Sequence, residues 1–121
     1  MGAVSRKEQL SQAEMKAERE RLERQLAETL DELAEIQARL QERGDYSLGE
    51  GDPAIHSWEV NLALYQRMRE KEESLRLALR RIDDGTYGIC QRCGMRIDRA
   101  RLEIVPEAVL CIECARREGK G

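Results

Sequence analysis

The chain is poor in aromatic residues and in proline. Phe is absent, and the 121 residues include one Trp, three Tyr, two Pro and one His. A broad globular core normally relies on such large side chains. With 37% charged residues, this composition instead predicts long, surface-rich helices and a small metal-held module. Binding of single-stranded nucleic acid by stacking on aromatic rings is also disfavoured.

The chain also lacks a basic net charge, a membrane span and a catalytic motif, and each absence disfavours one class of function. The net charge is −3 and the pI about 5.4, so no overall basic field attracts nucleic acid. No apolar run has the length of a membrane span, and residues 1–10 lack the apolar segment of an export signal. We therefore expect a cytoplasmic protein that binds neither a membrane nor, directly, nucleic acid. A single His56 and no phosphate-binding Gly-rich loop predict a protein that is not an enzyme.

The sequence does contain four cysteines in two matched pairs. Cys90 and Cys93 form one Cys-x-x-Cys pair, and Cys111 and Cys114 form another after a spacer of seventeen residues. This separation is typical of a zinc site with four thiolate ligands, because each tight turn offers two sulfurs to one tetrahedral ion. Four protein ligands leave no open position for water or substrate. The pattern therefore predicts one structural Zn²⁺, whose binding orders a module too small to fold by apolar burial alone.

Three other interpretations of the cysteines are open. Two disulfides would need an oxidising compartment. A thioredoxin-like redox role would need a strand–helix context around one pair, which neither pair has. A zinc- or thiol-responsive sensor would release its metal when the thiolates are oxidised.

Two long helices are predicted before the cysteines. Residues 11–43 contain neither Pro nor Gly and are dominated by strong helix formers. Residues 53–83 form the second predicted helix, with Asp52 as its N-cap and Pro53 as its first residue. Residues 44–52 hold three glycines and predict a loop. Apolar residues spaced by three, four and seven predict a coiled-coil seam, to which the first helix contributes Met15, Leu22, Leu26, Leu33, Ile36 and Leu40, with Leu30 widening it.

The predicted fold class is mainly α. Two helices of similar length joined by a short loop favour a long antiparallel coiled-coil hairpin over residues 1–84. A small four-Cys zinc-finger module with a short C-terminal helix follows over residues 85–121. The alternative is that each apolar stripe meets another molecule; we expect the intramolecular hairpin, and hence a monomer.

The region around the cysteines resembles a known family. The sequence resembles the DksA/TraR family of C4-type zinc-finger proteins at residues 81–94, Ile97, Arg101-Leu102, Pro106 and residues 111–114, and the resemblance covers residues 79–115. It implies a coiled-coil finger on a globular zinc module. It also implies a transcription regulator that inserts this finger into the secondary channel of bacterial RNA polymerase without binding DNA. In some members the alarmone ppGpp binds between the polymerase and the factor.

The resemblance also indicates residues at the tip of the hairpin. The family's tip motif is Asp-x-x-Asp-x-Ala, and Asp52 and Ala54 match its second Asp and its Ala, whereas Gly49 stands at the first Asp. Asp52 and Ala54 are therefore the candidates for an effect on polymerase. A different function class stays open beside this one, namely a zinc-ribbon coiled-coil adaptor that binds another protein without an effect on transcription.

Overall fold

Four helices make up most of the chain. The computed structural model describes residues 11–44 and 53–120. Helices α1 (Gln12–Gly44) and α2 (Pro53–Asp84) lie within one residue of their predicted bounds, and α3 (Arg99–Ile104) and α4 (Ile112–Lys120) follow. Helix α3 was not predicted. Within the described residues there is no strand, only an antiparallel bridge between Ile89 and Arg96.

The predicted tip is only partly described. Residues 45–52, which include Asp52, lie outside the described residues, and position 54 falls in the first turn of α2. Across residues 11–44 and 53–120, no helix combines the length and the apolarity that crossing a membrane would require.

Helix α1 begins with a capping box. The Glu14 N–H donates to Ser11 Oγ at 3.1 Å, and the Ser11 N–H donates to Glu14 Oε1 at 2.9 Å. Each side chain thus satisfies a backbone donor that has no partner inside the helix. The backbone hydrogen bond from Ser11 also lowers the pKa of Glu14.

The chain divides into two compact units, and the first contains the cysteines. It combines Met1–Arg24 with Ser74–Gly121. In this unit the beginning of α1 lies beside the end of α2, where Arg19 and Asp83 form an ion pair of 2.5 Å. Apolar side chains of both helices are buried here, namely Leu22, Leu75, Ala78 and Ile82.

The second unit, Gln25–Glu73, contains the rest of the two long helices. Here the end of α1 lies beside the beginning of α2, since the Trp58 indole N–H donates to the Leu40 carbonyl at 3.4 Å. Leu33 and Ile36 are buried in this unit. Within each unit, opposite ends of α1 and α2 meet, so the helix segments pack antiparallel there, as the similar helix lengths and the short loop predicted.

One predicted seam position was wrong. Leu30 was expected to widen the apolar face but is 39% exposed, whereas the adjacent Thr29 is buried. Thr29 lies seven residues from both Leu22 and Ile36 and so occupies their heptad position. Its hydroxyl donates to the Gln25 carbonyl at 2.8 Å, which satisfies the polar group within the helix and makes burial tolerable.

Helix α2 ends in a Schellman motif. The Gly85 N–H donates to the Ile82 carbonyl at 3.2 Å, and the Thr86 N–H donates to the Arg81 carbonyl at 2.9 Å. Gly85 adopts φ +79°, a left-handed conformation that glycine takes at little cost. The motif turns the chain out of α2 five residues before Cys90 and so fixes where the first cysteine pair begins.

Candidate metal centre

The first cysteine pair lies in a tight turn. The Cys90 N–H donates to the Met95 carbonyl and the Gly94 N–H donates to the Cys90 carbonyl, both at 2.8 Å. The Cys93 N–H points at Cys90 Sγ, 3.4 Å away. Gly94 has φ +78°, a left-handed conformation that explains why a glycine directly follows Cys93.

The second pair lies at the beginning of α4. Cys111 precedes the helix and Cys114 lies in its first turn, where the Ala115 N–H donates to the Cys111 carbonyl at 2.8 Å. Two bonds hold the preceding segment in place. The Gln91 N–H donates to the Val109 carbonyl at 2.8 Å, and Arg101 Nε, on α3, donates to the Leu110 carbonyl at 3.0 Å. The unpredicted helix α3 therefore helps to position the second pair.

The four sulfurs form one cluster. All four Sγ atoms lie within 4.8 Å of one another, and the Sγ atoms of Cys93 and Cys111 are 3.8 Å apart. A disulfide would need about 2.05 Å. A tetrahedral zinc ion with Zn–S bonds of about 2.3 Å places its sulfurs about 3.8 Å apart. The four free thiols therefore fit zinc and exclude the two-disulfide arrangement.

Burial differs among the sulfurs. Cys90 and Cys114 are buried, Cys111 is half-buried and Cys93 is exposed. In the metal-free thiols, burial disfavours ionisation of Cys90, but backbone N–H groups of Cys93, Cys111 and Arg92 outweigh it and lower the pKa of Cys90 to about 6. Burial raises the pKa of Cys114 to about 12. Binding of zinc to four thiolates therefore displaces protons, above all from Cys114.

From the sequence, the apolar residues available to cover the metal are few and include Ile97, Leu102 and Ile104. The cover that the structure shows is smaller than this set. Ile97 and Leu102 are buried as predicted, and Ala108 joins them. Ile104 was expected to cover the metal but is 82% exposed. It is the last residue of α3, whose buried side carries Leu102, so the six-residue helix that the sequence did not reveal turns Ile104 away from the core.

A buried polar network joins α1 to the cysteine module. The Tyr87 hydroxyl donates to Glu18 Oε1 at 2.9 Å, and Arg21 donates to the same oxygen at 2.7 Å. Burial acts to raise the pKa of Glu18, but these two hydrogen bonds outweigh it, so the pKa lies below its usual value. Burial raises the pKa of Tyr87 far above its usual value. Sequence reasoning missed this network, because Glu18 is one acidic residue among many on a charged helix.

Comparisons with known proteins agree with this geometry. Residues 85–118 match the family model described as the prokaryotic dksA/traR C4-type zinc finger. "RNA polymerase-binding transcription factor DksA" of Caulobacter vibrioides is 36% identical over 94 residues, which are 74% of this chain and 65% of the relative. The protein of the same name from Escherichia coli K12 is 37% identical over 65 residues.

A solved structure extends the similarity to the helices. Transcription factor DksA2 from Pseudomonas aeruginosa matches with a TM-score of 0.74 and 29% sequence identity, over 91% of this chain and 86% of that chain. The chain spans only 43% of the length of the enterobacterial relatives. The C4-type finger model and the four clustered sulfurs together identify the metal as a structural zinc ion.

Proposed function

Because the chain belongs to the DksA/TraR family of C4-type zinc-finger proteins, we propose that it is a transcription regulator that binds bacterial RNA polymerase. One observation carries the proposal. The similarity to transcription factor DksA2 covers 91% of this chain and therefore includes the helical hairpin as well as the finger. Relatives that share the finger are named for binding RNA polymerase.

In this proposal the zinc finger is a support for the hairpin. Cys90, Cys93, Cys111 and Cys114 are the four ligands of one zinc ion, and the filled shell leaves the metal no catalytic position. The metal orders the turn, α3 and α4 next to the helix ends of the first unit. Loss of any one of the four thiols is expected to unfold this module, because binding of zinc is folding free energy on the order of 10 kcal/mol.

The hairpin is the part that acts on polymerase. We propose that its tip enters the secondary channel, that no DNA is contacted, and that one chain acts as a monomer in the cytoplasm, with ppGpp as a further ligand at the interface. Helices of 33 and 32 residues are each about 50 Å long at 1.5 Å per residue, long enough to reach into a channel. The net charge of −3 supports a protein rather than a DNA partner. Asp52 and Ala54 are the proposed tip residues.

Site-specific photo-crosslinking tests the proposal. A photo-reactive amino acid at position 54 should crosslink to the catalytic subunit of purified RNA polymerase near the active centre. The matched control replaces Ala100, an exposed alanine of α3, which should not crosslink there. Absence of a crosslink from position 54, in a protein that holds zinc and is folded, would refute binding in the channel.

The role of the tip carboxylate has a separate test. Asp52→Asn keeps a side chain that can cap α2 but removes the charge. We expect loss of the effect on transcription in vitro, with unchanged zinc content and thermal stability. Full activity of Asp52→Asn would rule out the carboxylate as the effector while leaving polymerase binding intact. Adding ppGpp to the same assays tests its part at the interface.

A second function, the protein–protein adaptor, is favoured by one surface. Val60 and Leu64 lie four residues apart on α2 and are 52% and 38% exposed, so they form a small apolar strip on one helix face. If this strip pairs two chains, sedimentation at micromolar concentration should show a dimer that Val60→Gln dissociates. A monomer at that concentration would remove self-association as a function.

A further inference from the structure

A cavity in the first unit has no role in the proposed mechanism so far. It has a volume of about 310 Å³ and lies between α1, the turn after α2 and the beginning of α3. Three arginines, Arg21, Arg96 and Arg99, line it together with the acidic residues Glu18 and Asp98. The rest of the lining consists of the buried side chains of Tyr87, Ile97 and Leu102 and the backbone of Gly88.

The walls of this cavity offer many more hydrogen-bond donors than acceptors. Each guanidinium carries five N–H donors. Arg21 uses one of them on Glu18 at 2.7 Å, and Arg96 lies 3.8 Å from Glu14, too far for a hydrogen bond. Arg99 is exposed, and among the described residues its interactions with Glu14 and Glu18 are electrostatic and longer-ranged than a hydrogen bond or a close ion pair. Glu18 Oε1 already accepts two hydrogen bonds, from Arg21 and Tyr87.

Charge and size define what such a cavity accepts. Arg21 and Arg96 each have a carboxylate within 4.0 Å, whereas Arg99 interacts with Glu14 and Glu18 only at longer range, so Arg99 is the cation most accessible to a ligand. The three arginines and two carboxylates of the lining leave one net positive charge. This charge matches a single negative charge on a ligand better than it matches a dianion. A volume of about 310 Å³ is at the small end of ligand pockets and suits one carboxylate on a short aliphatic stem, with Leu102 and Ile97 against the stem.

We propose that this cavity is a docking site for an acidic side chain, Asp or Glu, of the protein partner, with Arg99 as its anchor. The inference rests on the proposed function, in which that partner is RNA polymerase. Planar guanidinium groups bind carboxylates through paired hydrogen bonds, and arginines in small pockets are frequent sources of binding energy at protein interfaces. Through this site the zinc module contacts the partner directly, in addition to the contact made by the tip of the hairpin.

The test compares variants that differ in one guanidinium. The chain is labelled at its N-terminal amine, which spares the cysteines, and titrated with purified bacterial RNA polymerase while anisotropy is recorded. Arg99→Gln should raise Kd about tenfold, as expected when a charge-assisted hydrogen bond is lost. Arg117→Gln, an exposed arginine of α4 outside the cavity, should leave Kd within about twofold. Zinc content and thermal midpoint of each variant establish that both are folded.

A zero-length crosslink identifies the partner group. Arg99→Lys places an amine in the cavity, and a carbodiimide joins it to a carboxylate only at ion-pair distance. Mass spectrometry should find Lys at position 99 joined to an Asp or Glu of polymerase. Wild-type affinity of Arg99→Gln, or no crosslink from a bound Arg99→Lys chain, would overturn the docking site while the proposed function stands. No binding of the wild-type chain would overturn both.

Discussion

Replacing Tyr87 by Phe removes one hydroxyl from the buried network between α1 and the cysteine module. The ring keeps its apolar burial, and Glu18 keeps Arg21 as a partner at 2.7 Å. What is lost is the 2.9 Å hydrogen bond from the hydroxyl to a buried carboxylate. Hydrogen bonds to charged groups contribute about 1.5–3 kcal/mol. Because Arg21 remains, we expect a loss of about 1–2 kcal/mol in the free energy of unfolding.

Thermal unfolding followed by far-UV circular dichroism measures this loss. The free zinc concentration is fixed, because metal that binds only the folded state shifts the midpoint. We expect Tyr87→Phe to lower the midpoint by roughly 3–8 °C. Tyr65→Phe is the matched control, since Tyr65 lies half-buried on α2 in the other unit, where its hydroxyl interacts with the exposed Arg69. It should change the free energy of unfolding by less than about 0.5 kcal/mol.

A double-mutant cycle with Glu18→Gln isolates the interaction. We expect a coupling energy of about 1 kcal/mol or more between positions 18 and 87. The lowered pKa of Glu18 contributes stability above about pH 4.3, and this contribution is lost as the pH falls. The raised pKa of Tyr87 contributes stability below about pH 10, and this contribution is lost as the pH rises. The difference between wild type and Tyr87→Phe should therefore stay constant from about pH 6 to pH 9. A coupling energy near zero would refute the reasoning.

Three further predictions concern the metal, a glycine and the seam. Removing zinc with a chelator should release one equivalent per chain and reduce the helical circular dichroism signal. The fluorescence emission of Trp58 should change little, because Trp58 and its partner Leu40 both lie in the unit without the cysteines. A parallel change in Trp58 emission would contradict this prediction. Gly94→Ala and Gly85→Ala should each cost about 1–2 kcal/mol at positive φ, but only Gly94→Ala should weaken zinc affinity in a competition titration. Thr29→Val should be neutral or stabilising by up to about 1 kcal/mol in urea unfolding, since it removes a buried hydroxyl and keeps the shape; a clear loss would show that the hydroxyl has another role.

Local patterns were sufficient to predict the long helices and the sulfur cluster. Absence of Pro and Gly from residues 11–43, and the Asp-Pro start of α2, specify helix bounds through backbone preferences that act within a few residues. The two cysteine pairs specify a metal site because the spacing alone determines which sulfurs can meet. Zinc coordination then supplies the long-range constraint that the small apolar content of residues 85–121 does not.

The predictions for Leu30 and Ile104 failed for the same reason: an apolar side chain is not buried unless the helix turns it toward a neighbouring element. Leu30 is exposed and Thr29 is buried because helical phase, rather than hydrophobicity, decides which residue faces the partner helix. Ile104 is exposed because α3, only six residues long, carries too short a pattern to be recognised. A threonine that satisfies its own hydroxyl can occupy a seam position without a recognisable signal in the sequence.

The polar network shows why a metal site alone does not place the module on the helices. Four thiolates can hold residues 90–114 around one zinc ion, but all four belong to the cysteine module itself. Glu18 and Tyr87, 69 residues apart, connect the module to α1 through a buried hydrogen bond, which has a defined direction and geometry that apolar packing lacks. Arg99 lines the cavity beside the same network. A carboxylate that binds Arg99 would therefore bind next to the junction of α1 with the module, so Tyr87→Phe should also weaken binding to polymerase, by less than Arg99→Gln does.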